Sequence, residues 1–196
     1  SYLNQSGIVP PSQFEQYTMR LNVDNQLTDK INVGANISGS YNYNRGLKNN
    51  ANAFNGGVVA SALAAPPFIP IYDENGNFAQ NPFETNADNP IAQAYGRKQE
   101  ATTGTFMGNV FGTYELLPGL VYRLNLNTTL SYRKDDSWLS TKDTFEGRTE
   151  GGEASTGTRK NMSVLMEHTL RYDKLFGKNH KVTGLIGFTQ QNWSFE

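Results

Sequence analysis

The feature that most constrains this chain is a strict alternation of side chains along residues 31–44. The odd positions are apolar, small or aromatic and end in Tyr41 and Tyr43, whereas every even position is Asn, Gly or Ser. Successive side chains of a β-strand point to opposite faces, so this pattern predicts a two-faced strand of about 14 residues. Strands of globular domains average roughly 5–6 residues. A long apolar face that ends in tyrosines is typical of a strand in a membrane-spanning barrel.

Similar alternation recurs along most of the chain. It marks residues 17–24, 105–116, 120–133, 162–172 and 181–196. In residues 105–116 the odd positions are mostly polar but include Met107 and Phe111, so the two faces are less distinct there. With a strand end at Ser1–Gln5, these stretches predict about seven long strands of an all-β, antiparallel, up-and-down transmembrane barrel.

The last of these stretches changes phase. Its apolar residues occupy even positions as far as Phe188 and then odd positions at Trp193 and Phe195. One extra residue in one strand of a pair would produce this shift. We therefore expect a β-bulge near Thr189 and Gln190.

The connections between the predicted strands alternate in length. Short turns are expected at residues 26–30, 117–119 and 173–179, and long loops at residues 45–101 and 136–157. Outer-membrane barrels have short periplasmic turns and long extracellular loops, so this asymmetry agrees with the alternation. Within the first loop, the Ala-rich residues 53–65 predict a short helix that ends at Pro66. Asn75-Gly76 predicts a small hairpin with a type I′ turn.

Composition excludes several other classes of protein. The mean hydropathy is -0.58 and hydrophobic residues make up 37%, but aromatic residues reach 12%, which is unlike a disordered chain. The net charge of -1 gives no electrostatic basis for binding nucleic acid. The absence of Cys excludes disulfides and cysteine nucleophiles. The chain starts without Met or a signal peptide, so we expect it to be a piece of a longer protein.

Several blocks resemble one known family. Ser1–Val9, followed by Tyr17–Asp24, resembles the early barrel of the SusC/RagA-type TonB-dependent transporters of Bacteroidetes, and residues 30–36, 67–76 and 117–120 are similar to the same family. The resemblance implies an outer-membrane barrel of about 22 strands with an N-terminal plug. It also implies import of glycan or peptide fragments with a SusD-type lipoprotein as lid.

The resemblance covers residues 1–196 as a partial TonB-dependent receptor barrel domain, without the plug and the remaining strands. Energy from the TonB complex would enter through the missing N-terminal region, so no residue here carries that role. We expect one face of the sheet to contact outer-membrane lipid. An isolated sheet of this kind would expose two edges and an apolar face, so we expect it to depend on the missing strands or on a partner.

Two sets of candidate functional residues follow. Tyrosines at the ends of the apolar stretches are candidates for the membrane girdles: Tyr17, Tyr41, Tyr43, Tyr114, Tyr122, Tyr132 and Tyr172. Aromatic residues of the loops and arginines of the polar face are candidates for contact with an oligosaccharide or peptide substrate or with the lid: Phe54, Phe68, Tyr72, Phe78, Trp138, Arg123 and Arg133.

Signals for catalysis, cofactors or metals are weak. His168 and His180 lack metal-ligand spacing, and a girdle role for His168 is the stronger interpretation. The Asp73, Asn75, Asn77 series imitates the start of a calcium loop, but the sequence that follows does not complete it. We predict no cofactor and no enzyme activity. Two alternatives to transport are an outer-membrane barrel enzyme and a β-rich surface adhesin.

Overall fold

The computed structural model describes residues 1–48, 57–82, 88–177 and 180–196. Within these ranges the chain forms seven strands: β1 (Tyr2–Ser6), β2 (Gln13–Thr28), β3 (Ile31–Gly46), β4 (Arg97–Leu117), β5 (Leu120–Leu139), β6 (Glu153–Phe176) and β7 (His180–Phe195). It also forms three short helices there: α1 (Val58–Ala64), α2 (Pro90–Tyr95) and α3 (Phe145–Glu150). The strands pair in chain order and every pair is antiparallel, which confirms the up-and-down topology.

The register of the strands places all the apolar series on one face. One row across the sheet runs Val23, Ala35, Val110, Leu126 and Met166, and we call this side the apolar face. The adjacent row begins Asn22, Asn36, Asn109 and Asn127, and we call that side the polar face. Met107 and Phe111 therefore belong to the polar face, because Val110 is aligned with the apolar row.

Neither face of the sheet contains a buried core. Among the described residues, the buried apolar side chains are Val58, Ala79, Ala92, Ala94 and Leu139. All of them lie in the loops or at the loop end of a strand. On the apolar face, by contrast, Ile186 is 75% exposed. A single sheet whose two faces are exposed fits a barrel wall, and within the described residues β1 and β7 each pair on one side only.

The strands are longer than the alternation predicts. β3 ends at Gly46 and β4 begins at Arg97, so the first long loop covers residues 47–96 rather than 45–101. The second covers residues 140–152 rather than 136–157, since β5 reaches Leu139 and β6 begins at Glu153. These boundary predictions were wrong because charged and polar residues continue the backbone ladder beyond the apolar part. The turn at 173–179 shortens for the same reason, because β6 continues to Phe176.

The prediction of a β-bulge near Thr189 and Gln190 is wrong. β6 and β7 pair without a shift from Phe176–His180 to Asn161–Phe195. The phase change is instead a real change of face, which puts Trp193 and Phe195 on the polar face. The irregularities that do occur, between Gln26 and Thr28 and between Glu115 and Leu117, lie next to the short turns.

The first long loop contains more regular structure than one helix. α1 lies inside the predicted helical stretch and ends before Pro66, and residues 53–56 lie outside the described ranges. The predicted hairpin is present as a bridge between Tyr72 and Phe78. Its turn is not type I′, because only Gly76 has a positive φ, of 79°.

Candidate functional site

The polar face carries a continuous ladder of hydrogen-bonded amides. The Nδ2 of Asn36 donates to Oδ1 of Asn109 at 3.1 Å, and Nδ2 of Asn109 donates to Oδ1 of Asn125 at 2.6 Å and of Asn127 at 2.8 Å. The Nδ2 of Asn125 then donates to a carboxylate oxygen of Glu167 at 2.7 Å. These bonds cross β3, β4, β5 and β6. A wall of this kind presents hydrogen-bonding groups to a wet interior, as in barrels with a polar lumen.

An aromatic ring interrupts the amide ladder on the side of the short turns. The ring of Phe111 covers Gly34 so closely that a Cβ atom there would lie 2.4 Å from its Cζ. The guanidinium carbon of Arg123 lies 4.6 Å from the centre of the same ring, a cation–π geometry. The glycine thus makes room for the ring, and the ring fixes Arg123.

The apolar face has tyrosines at both ends. Tyr17 and Tyr41 pair across β2 and β3, and Tyr114 and Tyr122 pair across β4 and β5 at the other end. Tyr122 and Tyr132 are ten positions apart on β5, or about 33 Å along the strand. A tilt of roughly 35–45° reduces this to about 25 Å, the height of the apolar band of an outer-membrane barrel.

The remaining girdle candidates lie on the same face. Tyr43 follows Tyr41 by two positions on β3, and Tyr172 follows Leu170 by two on β6. The hydroxyl of Tyr122 lies 2.6 Å from Nδ1 of His168, which in turn contacts the ring of Phe188. His168 thus lies beside a girdle candidate, and its own girdle role stays a prediction. The assignment of all seven tyrosines to membrane interfaces stays a prediction.

The two long loops are joined through a buried carboxylate. Asp88 precedes α2 and is 8% exposed. Its Oδ2 accepts from Nε2 of Gln93 at 2.7 Å and from the backbone N–H of Phe145, and its Oδ1 accepts from Arg148 at 3.1 Å. Burial raises the pKa of Asp88 above its ordinary value, although the bonds from Phe145 and Arg148 oppose this. Asp88 therefore connects α2 in the first loop with both ends of α3 in the second.

A second carboxylate connects the same loops, and this one belongs to the second loop and binds residues of the first loop and its flanking strand. Glu146 of α3 forms ion pairs with Lys48, at 3.4 Å, and with the buried Arg97 at the start of β4. The backbone N–H of Ser140 donates to the carbonyl of Gly96 at 2.8 Å. A Cβ atom on Gly96 would lie 2.9 Å from Cβ of Asp143, so only glycine permits this approach. We call these contacts between the two long loops the loop interlock.

A polar cleft of about 530 Å³ lies on the polar face next to the loop interlock. The rows that form it run Asn44, Ala101, Asp135, Gly157 and then Gly46, Gln99, Ser137, Ser155. Arg133, Glu100, Asp136 and Thr156 also line it. Arg133 forms a bidentate pair with Asp135, with bonds of 2.7–3.0 Å. Hydrogen bonding from Arg133 holds the pKa of Asp135 below its usual range.

The structure brings together some of the candidate contact residues and separates others. Phe54 lies outside the described residues. Phe68 is exposed on the first loop, and the rings of Tyr72 and Phe78 stack at 5.4 Å across the small hairpin.

The strand candidates divide between the two faces. Trp138 occupies an even position of β5, in phase with Tyr132, so it belongs to the apolar face. Arg123 and Arg133 share the polar face but lie ten positions apart on β5, near its opposite ends. Of the strand candidates, only Arg133 borders the polar cleft.

Sequence reasoning missed the residues of the loop interlock. Asp88, Arg97, Glu146 and Arg148 are single charges in polar stretches, and no spacing connects them. One local signal was available, because Asn89-Pro90 can start a helix as well as a turn. The side chain of Asn89 indeed accepts from the backbone N–H of Ile91 at 2.9 Å and caps α2.

The described residues carry little that would suggest metal or catalytic chemistry. Across residues 1–48, 57–82, 88–177 and 180–196, no group of three or more His, Asp or Glu side chains could hold a metal ion. In the same part of the chain, none of the helices has the length and hydropathy needed to span a membrane.

Comparison with known proteins relates the whole chain to one group. No protein-family model matches it. The chain is 30% identical over 97% of its residues to TonB-dependent receptor P3 of Formosa agariphila, and 30% identical over its full length to TonB-dependent receptor P26 of the same bacterium. TonB-dependent receptor P39 is 27% identical over the full length. The chain spans 19% of P3 and of P26 and 18% of P39, so it spans about a fifth of each relative.

Solved structures share the fold. The RagAB peptide importer in its open-open state superposes on 99% of this chain with a TM-score of 0.76 and 20% identity, and the chain covers 22% of that structure. The closed-closed state gives a TM-score of 0.72 at 18% identity, and the chain covers 23% of it. Its seven strands, its two-faced wall and its alternation of short turns and long loops agree with these likenesses. The chain belongs to the TonB-dependent receptors of the bacterial outer membrane, and its seven-stranded wall has the fold of part of the barrel of the RagAB importer.

Proposed function

We propose that the chain forms wall and extracellular loops of a transporter that imports nutrient fragments, peptides or glycans, with energy from TonB. One observation carries the proposal: a sheet with an apolar, tyrosine-bounded face and a hydrogen-bonded polar face. Such a sheet separates lipid from a wet passage. The names of the relatives, receptors and a peptide importer, support transport over the enzyme and adhesin alternatives.

The partner in this proposal is a SusD-type lipoprotein that covers the extracellular loops. The first long loop offers an apolar, proline-lined pocket of about 100 Å³ beside the exposed Phe68 and Ile71. Exposed apolar groups on an ordered surface fit contact with another protein. Phe68, Tyr72 and Phe78 are the residues of this chain that we assign to the lid contact.

Transport is tested in the native host with the full-length gene deleted and then restored. Depletion of labelled oligopeptides and oligosaccharides from the medium is followed by mass spectrometry. We expect one class to be depleted only in the restored strain. Equal depletion in the deleted and restored strains would reject the transport proposal.

The lid contact is tested separately by co-purification of the lipoprotein from detergent-solubilised membranes. A Phe68→Ser variant should recover less lipoprotein, whereas Ser163→Ala on the polar face serves as the matched control. Full recovery with Phe68→Ser would remove Phe68 from the contact.

A further inference from the structure

The end of β7 places two aromatic rings on the polar face of the wall. Trp193 and Phe195 are directly opposite Ser163 and Asn161 of β6, which belong to that face. The side chain of Gln191 agrees with this assignment, because its Nε2 donates to Oγ of Ser163 at 3.1 Å. The two rings therefore lie on the side opposite the apolar face, so contact with lipid does not account for them.

Both rings are exposed. Trp193 is 65% exposed and Phe195 is 71% exposed. Among the described residues, neither ring stacks on another ring, and the indole N–H of Trp193 donates no hydrogen bond. Side chains two positions apart on a strand share a face and lie about 7 Å apart. The two rings thus form one apolar surface with an available donor, and we call it the aromatic platform.

The aromatic platform continues into a part of the polar face that lacks charge. The two rows of the sheet that contain its rings have no charged residue from β3 to β7, and we call these rows the uncharged band. One row is Ser38, Met107, Thr129, Ser163 and Trp193, and the next is Ser40, Thr105, Ser131, Asn161 and Phe195. Most of these side chains carry a hydroxyl group, which can both donate and accept a hydrogen bond.

The nearest charges on this face balance one another. Arg133 and Arg159 are aligned one row closer to the long loops. Asp135 forms the bidentate pair with Arg133 and also interacts electrostatically with Arg159. The uncharged band therefore has no unpaired charge beside it that would select an ionic ligand.

An aromatic ring beside neutral hydroxyl groups matches the surface of a sugar. A pyranose ring carries C–H groups on its faces, and these are attracted to the negative face of an aromatic ring. Its rim carries hydroxyl groups, which need new donors and acceptors when they leave water. A charged peptide would find no opposite charge in the uncharged band, and burial of an unpaired charge is costly.

The aromatic platform lies where a solute would pass after the long loops. Phe195 is in the row of Ser131, which is the chain neighbour of the girdle candidate Tyr132. Trp193 is in the row of Thr129, three positions from Tyr132 or about 10 Å along the strand toward the short turns. The platform thus begins at the level of the outer tyrosines and extends inward.

We propose that Trp193 and Phe195 stack against sugar rings of a neutral oligosaccharide, and that hydroxyl and amide groups of the uncharged band bind its hydroxyl groups. The inference rests on the transport role proposed above and selects glycans over peptides within it. Trp193 is the main contact, because its ring is the larger and its indole N–H adds a donor. Phe195 extends the stacking surface toward the long loops.

The test uses the purified full-length transporter in lauryldimethylamine oxide, a detergent without a sugar headgroup that could compete. Binding is measured by titration calorimetry with maltohexaose, laminarihexaose, xylohexaose and mannohexaose. Two further probes represent the other ligand classes: hexagalacturonate, which is charged, and a hexapeptide of glycine and serine with blocked ends. We expect one neutral hexasaccharide to bind about tenfold more tightly than either of these two.

Substitutions assign this binding to the aromatic platform. Trp193→Leu should weaken binding of the preferred hexasaccharide about tenfold, because it removes the ring but keeps an apolar side chain. Trp193→Phe should keep most of the affinity, and Phe195→Leu should weaken binding less than Trp193→Leu. The matched control is Phe188→Leu, which makes the same exchange on the apolar face of the same strand and should leave the affinity unchanged.

A measurement on the wild-type protein needs no variant and so does not depend on how well the variants fold. Hydroxyl radicals oxidise exposed aromatic rings, and mass spectrometry locates the oxidised residues. The bound hexasaccharide should lower the oxidation of Trp193 and Phe195 severalfold. Oxidation of the rings on the apolar face should stay the same.

Three outcomes would overturn the inference: no neutral hexasaccharide binds, the peptide or hexagalacturonate binds as tightly as the best of them, or Trp193→Leu keeps the full affinity. Lower thermal stability of Trp193→Leu with unchanged affinity would mean that the rings pack against another part of the transporter. Transport itself is scored by depletion of nutrient from the medium. Import of peptides without binding of any neutral hexasaccharide refutes the platform alone, whereas binding without any import refutes the transport role.

Discussion

The loop interlock predicts that one buried carboxylate controls the local stability of both long loops. Replacing Asp88 by Ala removes the acceptor for Gln93, for the backbone N–H of Phe145 and for Arg148. A buried donor left unpaired costs about 1–3 kcal/mol. Gln93 is 3% exposed and Arg148 only partly buried, so we expect a total of about 3 kcal/mol against opening of the loops.

Hydrogen exchange of the full-length protein in detergent measures this opening directly. A loss of about 3 kcal/mol should raise the opening constant, and with it the exchange rate, roughly a hundredfold. The increase should occur in peptides from residues 88–96 and also in those from residues 140–152. Asp136→Ala is the matched control, because Asp136 forms an exposed pair with Lys134 that contributes about 0–1 kcal/mol.

A milder variant separates hydrogen bonding from charge. Asp88→Asn can keep one oxygen in the place of Oδ2, where Gln93 and Phe145 donate, and it loses the bond to Arg148. Burial raises the pKa of Asp88 because it disfavours the charged carboxylate. A neutral amide of the same size should therefore destabilise the site less than removal of the side chain in Asp88→Ala. We expect exchange rates between those of wild type and Asp88→Ala. Faster exchange in residues 88–96 alone, with residues 140–152 unchanged, would refute the coupling of the two loops.

Three further results are expected. Leu126→Lys, at the middle of the apolar face, should destabilise the protein in a bilayer by about 2–4 kcal/mol in urea titrations, and the control Thr129→Lys, at an exposed position of the polar face, should not. Gly147→Ala should disrupt the second loop, since its Cβ would lie 1.8 Å from the carbonyl oxygen of Ser140; Gly104→Ala, which has open space, should change thermal stability little. A raised pKa means that the folded site binds more protons than the open one, so loop stability should fall as pH rises from about 3.8 through that pKa. Asp88→Asn should abolish this pH dependence of exchange, and a slope of opposite sign would contradict it.

Much of the wall could be predicted from the sequence because it depends on one local rule. Alternation at residues 31–44 assigns each side chain to a face, and the register then aligns equivalent positions on neighbouring strands. The rule failed where a strand continues beyond its apolar face. Arg133 to Leu139 belong to β5, but their side chains show no apolar alternation that would mark a strand. It also failed at Trp193 and Phe195, where aromatic residues occupy the polar face.

The loops could not be predicted in the same way. Their buried contacts join residues far apart in sequence, such as Asp88 and Arg148 or Arg97 and Glu146. α3 has six residues and could not be stable alone, so its formation depends on those contacts. The candidate contact residues were chosen by type, and type alone did not show that Trp138 and Arg133 lie on opposite faces.

The loop interlock has a consequence for chimeric transporters. Surface loops of barrels are normally exchanged one at a time, as though each were an independent appendage. Here the helix α3 of the second loop forms ion pairs, through Glu146 and Arg148, with Lys48, Asp88 and Arg97. A graft of residues 47–97 alone would bring these groups to a recipient without their counterparts. The unit to exchange is therefore the pair of loops. Recombination that separates them would leave the strands of the barrel wall intact and the two long loops disordered.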